Sequence, residues 1–342
     1  MNIYEIARRA NVSRATVSRV INHLPGVREE TRQRVMEVIE EANYIPNAAA
    51  RSLVSKKSNV IGLLIYNITQ PYWGGIAWGI ENGVSHTDYG IFIVNSKSHT
   101  TAWDYQKSYK EKLRKLVSRG VDGIIIALLN DLDSEDIEFL ESIRMPFVVL
   151  QNHLRDPRVI SVNVENVKGA FDATNYLIGL GHRSIVHVTG PMISGVSQKR
   201  VEGFTQAMAA AGLLVDEDSL VAGNFQFSGG YSAMKGILAR ERRPTAVLFG
   251  CDLAAFGGLA AARDLNVSVP EEISVMGIDG LTQEIEYSAL LPELTTMCQP
   301  VEQLGMVAVQ QLQELINEKQ PESAALYLDM FLSKGQTCRS LD

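Results

Sequence analysis

Three amphipathic segments at the start of the chain most constrain its fold. In each, apolar residues recur at positions i, i+3, i+4 and i+7, the spacing that places them on one face of an α-helix. The three sets are Ile3, Ile6, Ala7 and Ala10; Val17, Val20, Ile21 and Leu24; and Val35, Val38, Ile39 and Ala42. Three short helices with one apolar face each can bury those faces against one another. The sequence therefore predicts a small head of three helices.

The second of these segments has the features of a helix that reads DNA. Ser13 is a suitable N-cap for it, and the short turn at Asn11-Val12 is typical of a helix-turn-helix. The face opposite the apolar stripe carries side chains that are short or form hydrogen bonds, which suits a major groove. They are Arg14, Ala15, Ser18, Arg19 and Asn22.

Charge separates the head from the rest of the chain. Residues 1–58 contain ten lysines and arginines against six glutamates, a net charge of +4, whereas the whole chain carries −7 and the remainder therefore −11. A basic head on an acidic body is typical of a DNA-binding module. Contacts with phosphates supply much of the affinity of such modules, so DNA binding should weaken as salt rises.

Beyond residue 59 the sequence alternates between apolar runs and helical segments. The apolar runs predict strands near 60–65, 90–94, 123–127, 146–150, 160–164, 185–188, 246–249 and 273–278. Helical patterns lie between and after them, near 74–86, 104–118, 166–179, 199–211, 229–240, 253–265 and 301–318. Such alternation predicts an α/β body of parallel sheets with helices on both faces. The two series of strands predict two similar lobes.

The head contains a long pattern of fixed spacing, made up of Ile3-Tyr4-Glu5-Ile6-Ala7, Val12-Ser13, Thr16-Val17-Ser18-Arg19-Val20-Ile21-Asn22, Glu30-Thr31-Arg32, Tyr44-Ile45-Pro46-Asn47-Ala48 and Ala50-Arg51-Ser52-Leu53. In these segments the head resembles that of the LacI (lactose repressor) family of bacterial transcription regulators. The resemblance continues through the body to about residue 338. It implies a helix-turn-helix domain at 1–45, a hinge helix and linker at 46–58, and a two-lobed effector-binding and dimerisation domain at 59–342.

The resemblance also implies how the second helix contacts DNA. Arg14, Ala15 and Arg19 match positions that contact bases. We expect Arg14 to supply most of the selectivity, because a guanidinium can donate to O6 and N7 of guanine together. Three further residues match positions that hold phosphates: Thr16, Ser18 and Asn22.

The hinge segment has a separate expected role. Leu53 matches the family's wedge, which opens a central base step in the minor groove. Asn47, Ala50 and Arg51 match the residues that accompany it. Because a helix of about nine residues is marginal alone in water, we expect the hinge to become helical when two copies pack in the minor groove. Folding coupled to DNA binding would let a ligand in the body control operator affinity.

For the body, the resemblance implies the periplasmic-binding-protein type I architecture. In that architecture the chain crosses three times between two lobes, and a ligand binds in the cleft at the carboxyl ends of strands. Trp73 matches an aromatic wall of the cleft, and Phe225 a stacking ring. Arg200 matches the anchoring arginine and is expected to open a helix. Asp279 follows a predicted strand and matches the acidic group that binds ligand hydroxyls or amines.

Asp252 has two interpretations, and two places depart from the family pattern. Asp252 begins a predicted helix, where a carboxylate is a good cap, but it also matches a ligand contact. Cys251-Asp252 stands where many members have Asn-Asp, and Gln151-Asn152 where many have an aspartate near the end of the fourth strand. We therefore expect Gln151 to contact the ligand and both departures to alter ligand choice.

The candidate residues favour a sugar or sugar derivative as the ligand. Aromatic rings can cover the apolar face of a sugar while an arginine and an aspartate bind its hydroxyls. A purine stacked between Trp73 and Phe225 is the alternative.

The sequence contains no recognised pattern for catalysis, a cofactor or a membrane span. Cys251, Cys298 and Cys338 have no metal-ligand spacing and no paired framework, which fits a reducing cytoplasm. No dinucleotide loop, secretory segment or run of about twenty apolar residues is present. We expect a cytoplasmic, ligand-controlled repressor that is not an enzyme and binds a near-palindromic double-stranded DNA operator as a homodimer. The alternative is a cytoplasmic sugar-binding or sugar-processing protein whose head is incidental.

Overall fold

The fold is taken from a computed structural model. It describes residues 2–21, 24–44, 57–96, 102–152, 156–281, 291–319 and 323–341, without the side chains of 102–108. The chain divides into two compact units, Met1–Asn59 and Val60–Asp342, called here the head and the body.

The head consists of helices α1 (Ile3–Arg9), α2 (Arg14–Ile21) and α3 (Glu29–Glu41). Their apolar faces meet in one small core, in which Ile6, Val17, Val20 and Val35 are fully buried. The predicted cap of α2 is confirmed, because the Ser13 hydroxyl accepts a hydrogen bond from the backbone N–H of Thr16 at 3.1 Å. The sequence prediction of a three-helix, helix-turn-helix head is confirmed.

The prediction for Leu24 is wrong. Helix α2 ends at Ile21, and Leu24 is 48% exposed. A residue beyond the end of a helix no longer follows the i+7 spacing, so Leu24 does not reach the core. Val27 packs against the core of the head instead.

Two six-stranded sheets form the frame of the body. The strands are β1 (Val60–Ile65), β2 (Gly90–Asn95), β3 (Gly123–Ala127), β4 (Phe147–Leu150), β5 (Ile160–Val164), β6 (Ile185–Val188), β7 (Leu220–Val221), β8 (Ala246–Phe249), β9 (Ser274–Asp279), β10 (Thr295–Cys298), β11 (Ala325–Leu328) and β12 (Phe331–Ser333). The first sheet has the order β11-β5-β4-β3-β1-β2 and is parallel throughout. The second has the order β12-β10-β9-β8-β6-β7 and is parallel except for β12, which is antiparallel to β10.

Helices connect most of these strands. They are α4 (Pro71–Val84), α5 (Ala102–Ser118), α6 (Ser134–Ile143), α7 (Asn166–Gly179), α8 (Gly195–Ala210), α9 (Phe227–Leu238), α10 (Asp252–Asp264), α11 (Val301–Ile316) and a short 3₁₀ helix at Glu217–Ser219. Every predicted strand and helix of the body is present within a few residues. Five elements have no counterpart among the predicted ones: α6, β7, β10, β11 and β12. None of the described helices is both long enough and apolar enough to cross a membrane.

The chain passes between the two sheets three times, as the resemblance implies. It leaves the first sheet after β5, because α7 packs against α8 beside the second sheet. It returns after β10, because α11 packs against α4 and the first sheet, and it crosses again from β11 to β12. The backbone N–H of Glu165 donates to the carbonyl of Leu328 at 2.9 Å, so the first and third crossings lie side by side.

Glycines allow neighbouring helices of the body to pack in backbone contact. Between α9 and α10, a Cβ on Gly230 would overlap the carbonyl oxygen of Ala254, and one on Gly257 would overlap that of Phe227. The α7–α8 pair has the same arrangement at Gly203. A larger residue at these positions would force the helices apart.

We predict that Gly230→Ala lowers the free energy of unfolding by about 1–3 kcal/mol, because the added methyl group overpacks the α9–α10 contact. Gly236→Ala, in the same helix, is the matched control. A Cβ there meets no atom within 4 Å, so alanine should stabilise the helix by up to about 1 kcal/mol through its propensity. Urea denaturation of both variants measures the difference, and equal stabilities would contradict the close-contact role of Gly230.

Candidate functional site

The outer surface of α2 carries the described candidates for DNA contact. Arg14, Ala15 and Arg19 are exposed, and Thr16 and Ser18 are half-buried. The other candidates lie outside the described residues: Asn22, Asn47, Ala50, Arg51 and Leu53.

A tyrosine of α1 holds the side chain of Arg14. The guanidinium carbon lies 4.6 Å from the centroid of the Tyr4 ring, and Nη1 donates to the Tyr4 hydroxyl. Tyr4 is itself 62% exposed. The contact restricts the rotamers of Arg14, so less side-chain entropy is lost when the guanidinium binds a base. In the sequence Tyr4 stands out only as part of the family pattern, and its contact with Arg14 is seen only in the structure.

The body contains a cleft of about 710 Å³, including space open to solvent. Its lining comes from segments at the carboxyl ends of strands in both sheets, so the cleft lies between the two lobes. The structure brings five of the six candidate ligand residues together there: Trp73, Gln151, Arg200, Phe225 and Asp279. The sixth, Asp252, is not part of the lining.

Aromatic side chains form part of the cleft wall. Trp73 lies in the first turn of α4, which Pro71 begins. The rings of Tyr66 and Tyr72 pack against it with centroid distances of 5.6 and 5.2 Å. Trp73 is consequently only 7% exposed. Phe225, from the second lobe, is half-buried.

Arg200 is buried within the cleft lining, with 2% of its surface exposed. It lies in the second turn of α8 and does not open the helix, because α8 begins at Gly195 rather than near residue 199. Its Nε donates to Asn166 Oδ1 at 2.9 Å, and its Nη1 donates to the carbonyl oxygen of Gly250. Nη1 also lies 3.6 Å from Asp279 Oδ1, which forms a buried ion pair.

Asp279 ends β9 and faces this guanidinium. Burial raises the pKa of its carboxyl group, and the Arg200 guanidinium opposes that rise. Gln299 Nε2 donates to Asp279 Oδ1 at 2.6 Å. The carboxyl group is therefore held by two side chains from different segments.

Three amide side chains join this ion pair into a closed ring, called here the polar ring. Asn166 Nδ2 donates to Gln151 Oε1 at 3.2 Å, and Gln151 Nε2 donates to Gln299 Oε1 at 3.1 Å. Together with the bonds that Arg200 gives to Asn166 and that Gln299 gives to Asp279, all amides point the same way round the ring. The cation at one end and the carboxyl group at the other fix this direction.

Three residues of the cleft have positive φ angles, which residues other than glycine rarely adopt. The φ angles are +56° at Gln151, +58° at Phe225 and +146° at Asp279. Such conformations cost of order 1 kcal/mol or more each and concentrate at functional sites. The strain therefore supports a functional role for the same residues that line the cleft.

Asp252 lies behind the cleft and is fully buried. Its Oδ2 accepts hydrogen bonds from the backbone N–H groups of Gly280 and Leu281, each at 2.7 Å. Its Oδ1 accepts from the Thr296 hydroxyl at 2.6 Å. Both oxygens are thus engaged within the protein, and burial raises the pKa of this carboxyl group as well.

The cleft also contains polar residues that the sequence analysis did not select. Gln70 and Ser194 are the N-caps of α4 and α8, yet neither side chain makes a capping hydrogen bond. Gln70 Nε2 and Ser194 Oγ are buried and have no hydrogen-bond partner among the described residues. Their positions just before helices that follow strands could have identified them. Tyr72, which directly precedes Trp73, and Gln299 also line the cleft, and only the folded topology brings Gln299 to it.

Family comparisons match both parts of the chain. A family described as "Bacterial regulatory proteins, lacI family" matches residues 2–47. A second, "Periplasmic binding proteins and sugar binding domain of LacI family", matches residues 58–334. The chain belongs to the LacI family of bacterial regulatory proteins. It is therefore a DNA-binding transcriptional regulator with an effector-binding body.

Relatives and solved structures of LacI-family members match nearly the whole chain. It is 35% identical over 326 residues to the HTH-type transcriptional repressor PurR of Edwardsiella ictaluri, covering 95% of this chain and 93% of that one. It is 32% identical over 326 residues to the ribose operon repressor of Haemophilus influenzae, covering 95% of each. A crystal structure of the lac repressor dimer bound to operator and the anti-inducer ONPF superposes with a TM-score of 0.87 at 26% identity, covering 99% of both chains.

These matches decide between the two function classes that the sequence left open. Family members are transcriptional regulators and not enzymes. The lac repressor in the matching structure is a dimer bound to operator DNA and to a small molecule. The helix-turn-helix head is therefore functional and not incidental.

We predict that Arg200→Met destabilises the body in a pH-dependent manner. Without the guanidinium, the pKa of the buried Asp279 carboxyl group rises further above its unfolded value. The folded state then holds a proton that the unfolded state releases, so stability is lost as pH rises from about 5 to 8. The loss at pH 8 should reach about 3–5 kcal/mol, the cost of breaking a buried pair.

Denaturation of Arg200→Met and of the double variant Arg200→Met/Asp279→Asn at pH 5 and pH 8 tests this. Because the double variant lacks the Asp279 carboxyl group, its loss of stability should differ less between the two pH values. A single variant that loses the same stability at both pH values would contradict the pairing.

Proposed function

We propose that this regulator is a repressor whose operator binding is controlled by a neutral sugar or sugar derivative in the cleft. The observation that carries the proposal is the chemistry of the cleft lining. It combines the Arg200–Asp279 pair and the hydrogen-bonded amides of Gln151 and Gln299 with two buried groups that have no hydrogen-bond partner among the described residues. These two groups are Gln70 Nε2 and Ser194 Oγ.

Unpartnered polar groups favour a ligand rich in hydroxyls. A buried donor or acceptor without a partner costs about 1–3 kcal/mol. Gln70 Nε2 can only donate, whereas Ser194 Oγ can donate or accept. A hydroxyl group does both, so a polyol can satisfy groups of either kind on opposite walls of the cleft.

The charge balance of the cleft favours a neutral ligand. Of the described lining residues, Arg200 and Asp279 carry the charge, and they are paired with each other. A phosphate group placed there would bring negative charge without a second cation to match it. Sugar phosphates should therefore bind more weakly than the corresponding free sugars.

The exposure of the aromatic residues favours a sugar over a stacked purine. A purine held between two rings needs an accessible face on each ring. Trp73 is only 7% exposed and packs in the hydrophobic core of the body, so little of its ring is available. Apolar contact with part of a sugar ring needs less of that surface.

The exposure of Arg14 and its contact with Tyr4 support direct contact between this side chain and DNA bases. Its guanidinium is exposed at the start of α2 and rests on the Tyr4 ring. A planar guanidinium held in this way can reach a guanine edge in the major groove. Ala15 and Arg19 are exposed on the same helix and would contact neighbouring bases.

We predict that a neutral sugar raises the melting temperature of the protein. At about 100 times its dissociation constant, a ligand that binds only the folded state adds about 2.7 kcal/mol of stability, which corresponds to roughly 5 °C or more for a body of this size. The screen compares ribose, cellobiose, ribose 5-phosphate and hypoxanthine. Arg200→Met is the control and should show no shift with the same compounds. A rise in melting temperature with hypoxanthine alone would contradict a sugar ligand and indicate a purine base instead.

The compound that binds should also change operator affinity. An operator selected from random double-stranded DNA provides the target, and a mobility-shift titration with and without the compound gives the coupling. A coupling of about 1–3 kcal/mol corresponds to a change of roughly 5- to 150-fold. Operator affinity that does not change with a bound sugar would contradict its role as the effector.

We predict that Arg14→Lys lowers affinity for the selected operator by roughly 5- to 150-fold, because the lysine ammonium is a flexible point donor without the planar, two-pronged geometry of the guanidinium. Affinity for unrelated DNA should change little, because the positive charge is retained. Arg34→Lys, at an exposed position of α3, is the matched control and should leave both affinities near their original values. Equal losses on selected and unrelated DNA would contradict base reading by Arg14.

A further inference from the structure

The turn that carries Asp279 has an unusual backbone. Asp279 has a φ angle of +146°, and Gly280 follows with a φ angle of +90°. Glycine adopts such angles readily, but an aspartate does so only when the surrounding structure holds it there. Something must therefore fix this turn for the Asp279 carboxyl group to reach Arg200 and Gln299.

The carboxylate of Asp252 forms hydrogen bonds with the backbone of this turn. It accepts both backbone N–H groups that follow Asp279, those of Gly280 and Leu281. Burial raises the pKa of the Asp279 carboxyl group, and the backbone N–H of Asp252 is among the groups that oppose this rise. The Asp252 side chain thus binds the backbone of the turn that follows Asp279.

The neighbouring sequence makes room for the Asp252 carboxylate. A Cβ on Gly277, within β9, would overlap Asp252 Oδ1. The same oxygen accepts from the hydroxyl of Thr296 in β10. Gly277 on one strand therefore leaves space for this carboxylate, and the Thr296 hydroxyl on the next strand donates a hydrogen bond to it. These two residues form its buried binding site.

We infer that Asp252 is a positioning residue for effector binding, which fixes the turn at 279–281 so that Asp279 faces the cleft. The inference rests on the proposed role of Asp279 in binding the effector. It assigns Asp252 neither of the two roles that the sequence left open. Direct ligand contact does not fit, because Asp252 is fully buried, both its oxygens are engaged and it is absent from the cleft lining.

Capping of its own helix does not fit Asp252 either. The N-cap of α10 is Cys251, whose Sγ accepts from the backbone N–H of Ala254 at 3.4 Å. The donors to the Asp252 carboxylate belong instead to the turn after β9 and to β10. The carboxylate acts on the segment that ends in Asp279 and not on the helix that carries it.

The first test needs no ligand and measures amide hydrogen exchange of the full-length protein at Gly280 and Leu281. In Asp252→Asn a neutral amide replaces the carboxylate that accepts from both backbone N–H groups, so these hydrogen bonds are no longer charge-assisted and both amides should exchange roughly tenfold faster or more. Asp136→Asn is the matched control, because Asp136 is also buried in a helix and accepts from a hydroxyl, that of Tyr109. It should leave both amides unchanged. Unchanged exchange at both amides in Asp252→Asn would overturn the inference.

A milder pair of variants covers the case in which Asp252→Asn does not fold. Thr296→Val removes the hydroxyl that donates to Asp252, whereas Thr296→Ser keeps it. Faster exchange at 280 and 281 is expected in the valine variant and recovery in the serine variant. Equal exchange rates in the valine and serine variants would contradict the role of the Thr296 hydroxyl in holding the Asp252 carboxylate.

The second test is a double-variant cycle with ribose as the probe, measured by calorimetry. Asp252→Asn should weaken ribose binding roughly 10- to 100-fold, because the charged group that it positions is displaced. In an Asp279→Asn background the same change should cause little further loss of affinity, although it still lowers stability. Additive losses of affinity would overturn the inference. If the unaltered protein does not bind ribose, that result counts against the proposed ligand class, and the exchange measurement still decides the role of Asp252.

Discussion

The buried guanidinium of Arg200 is the charge on which the cleft depends. An arginine leaves water at acceptable cost only when its charge and its donors are both matched. Here Asp279 matches the charge, while Asn166 and the carbonyl of Gly250 accept hydrogen bonds. These partners come from the end of β9, the start of α7 and the segment after β8. The ion pair and hydrogen bonds of Arg200 therefore bring these three segments of the body together.

The polar ring extends that constraint to the places where the chain crosses between lobes. Asn166 follows the first crossing, and Gln299 immediately precedes the second. Gln151, from the first lobe, closes the ring between them. Because hydrogen bonds tolerate only small changes of length, a rotation of one lobe against the other must break or remake part of the ring. A ligand that binds Arg200 or Asp279 is thereby coupled to the relative position of the lobes.

Much of the fold could be predicted from the sequence, because its strongest signals are local. Runs of β-branched residues mark the buried parallel strands, and the 3.6-residue period marks the head helices. Short strands such as β10, with the sequence Thr-Thr-Met-Cys, lack an apolar run and were missed. Leu24 was assigned to the core because its spacing continued, but periodicity alone does not show where a helix ends.

The site could be predicted only in part, because its polar contacts join distant segments. Trp73, Arg200 and Asp279 were found by resemblance, and all three line the cleft. Gln299 could not be found from local pattern, because its contact with Gln151 spans 148 positions of the chain. The role of Asp252 was also hidden, since it depends on a turn 28 residues further along. Local pattern thus locates secondary structure, whereas the hydrogen-bond partners follow from topology.

The amide at position 151 connects the architecture of the ring with the choice of ligand. Many family members have an aspartate near this position, but an aspartate could not donate to Gln299 Oε1 as Gln151 does. It would also bring a further carboxylate into the cleft lining, where burial already raises the pKa of the Asp279 carboxyl group. Glutamine keeps the ring closed without adding charge, so that one guanidinium remains balanced by the carboxyl group it faces. The departure from the family pattern and the proposed preference for a neutral ligand therefore have the same physical cause.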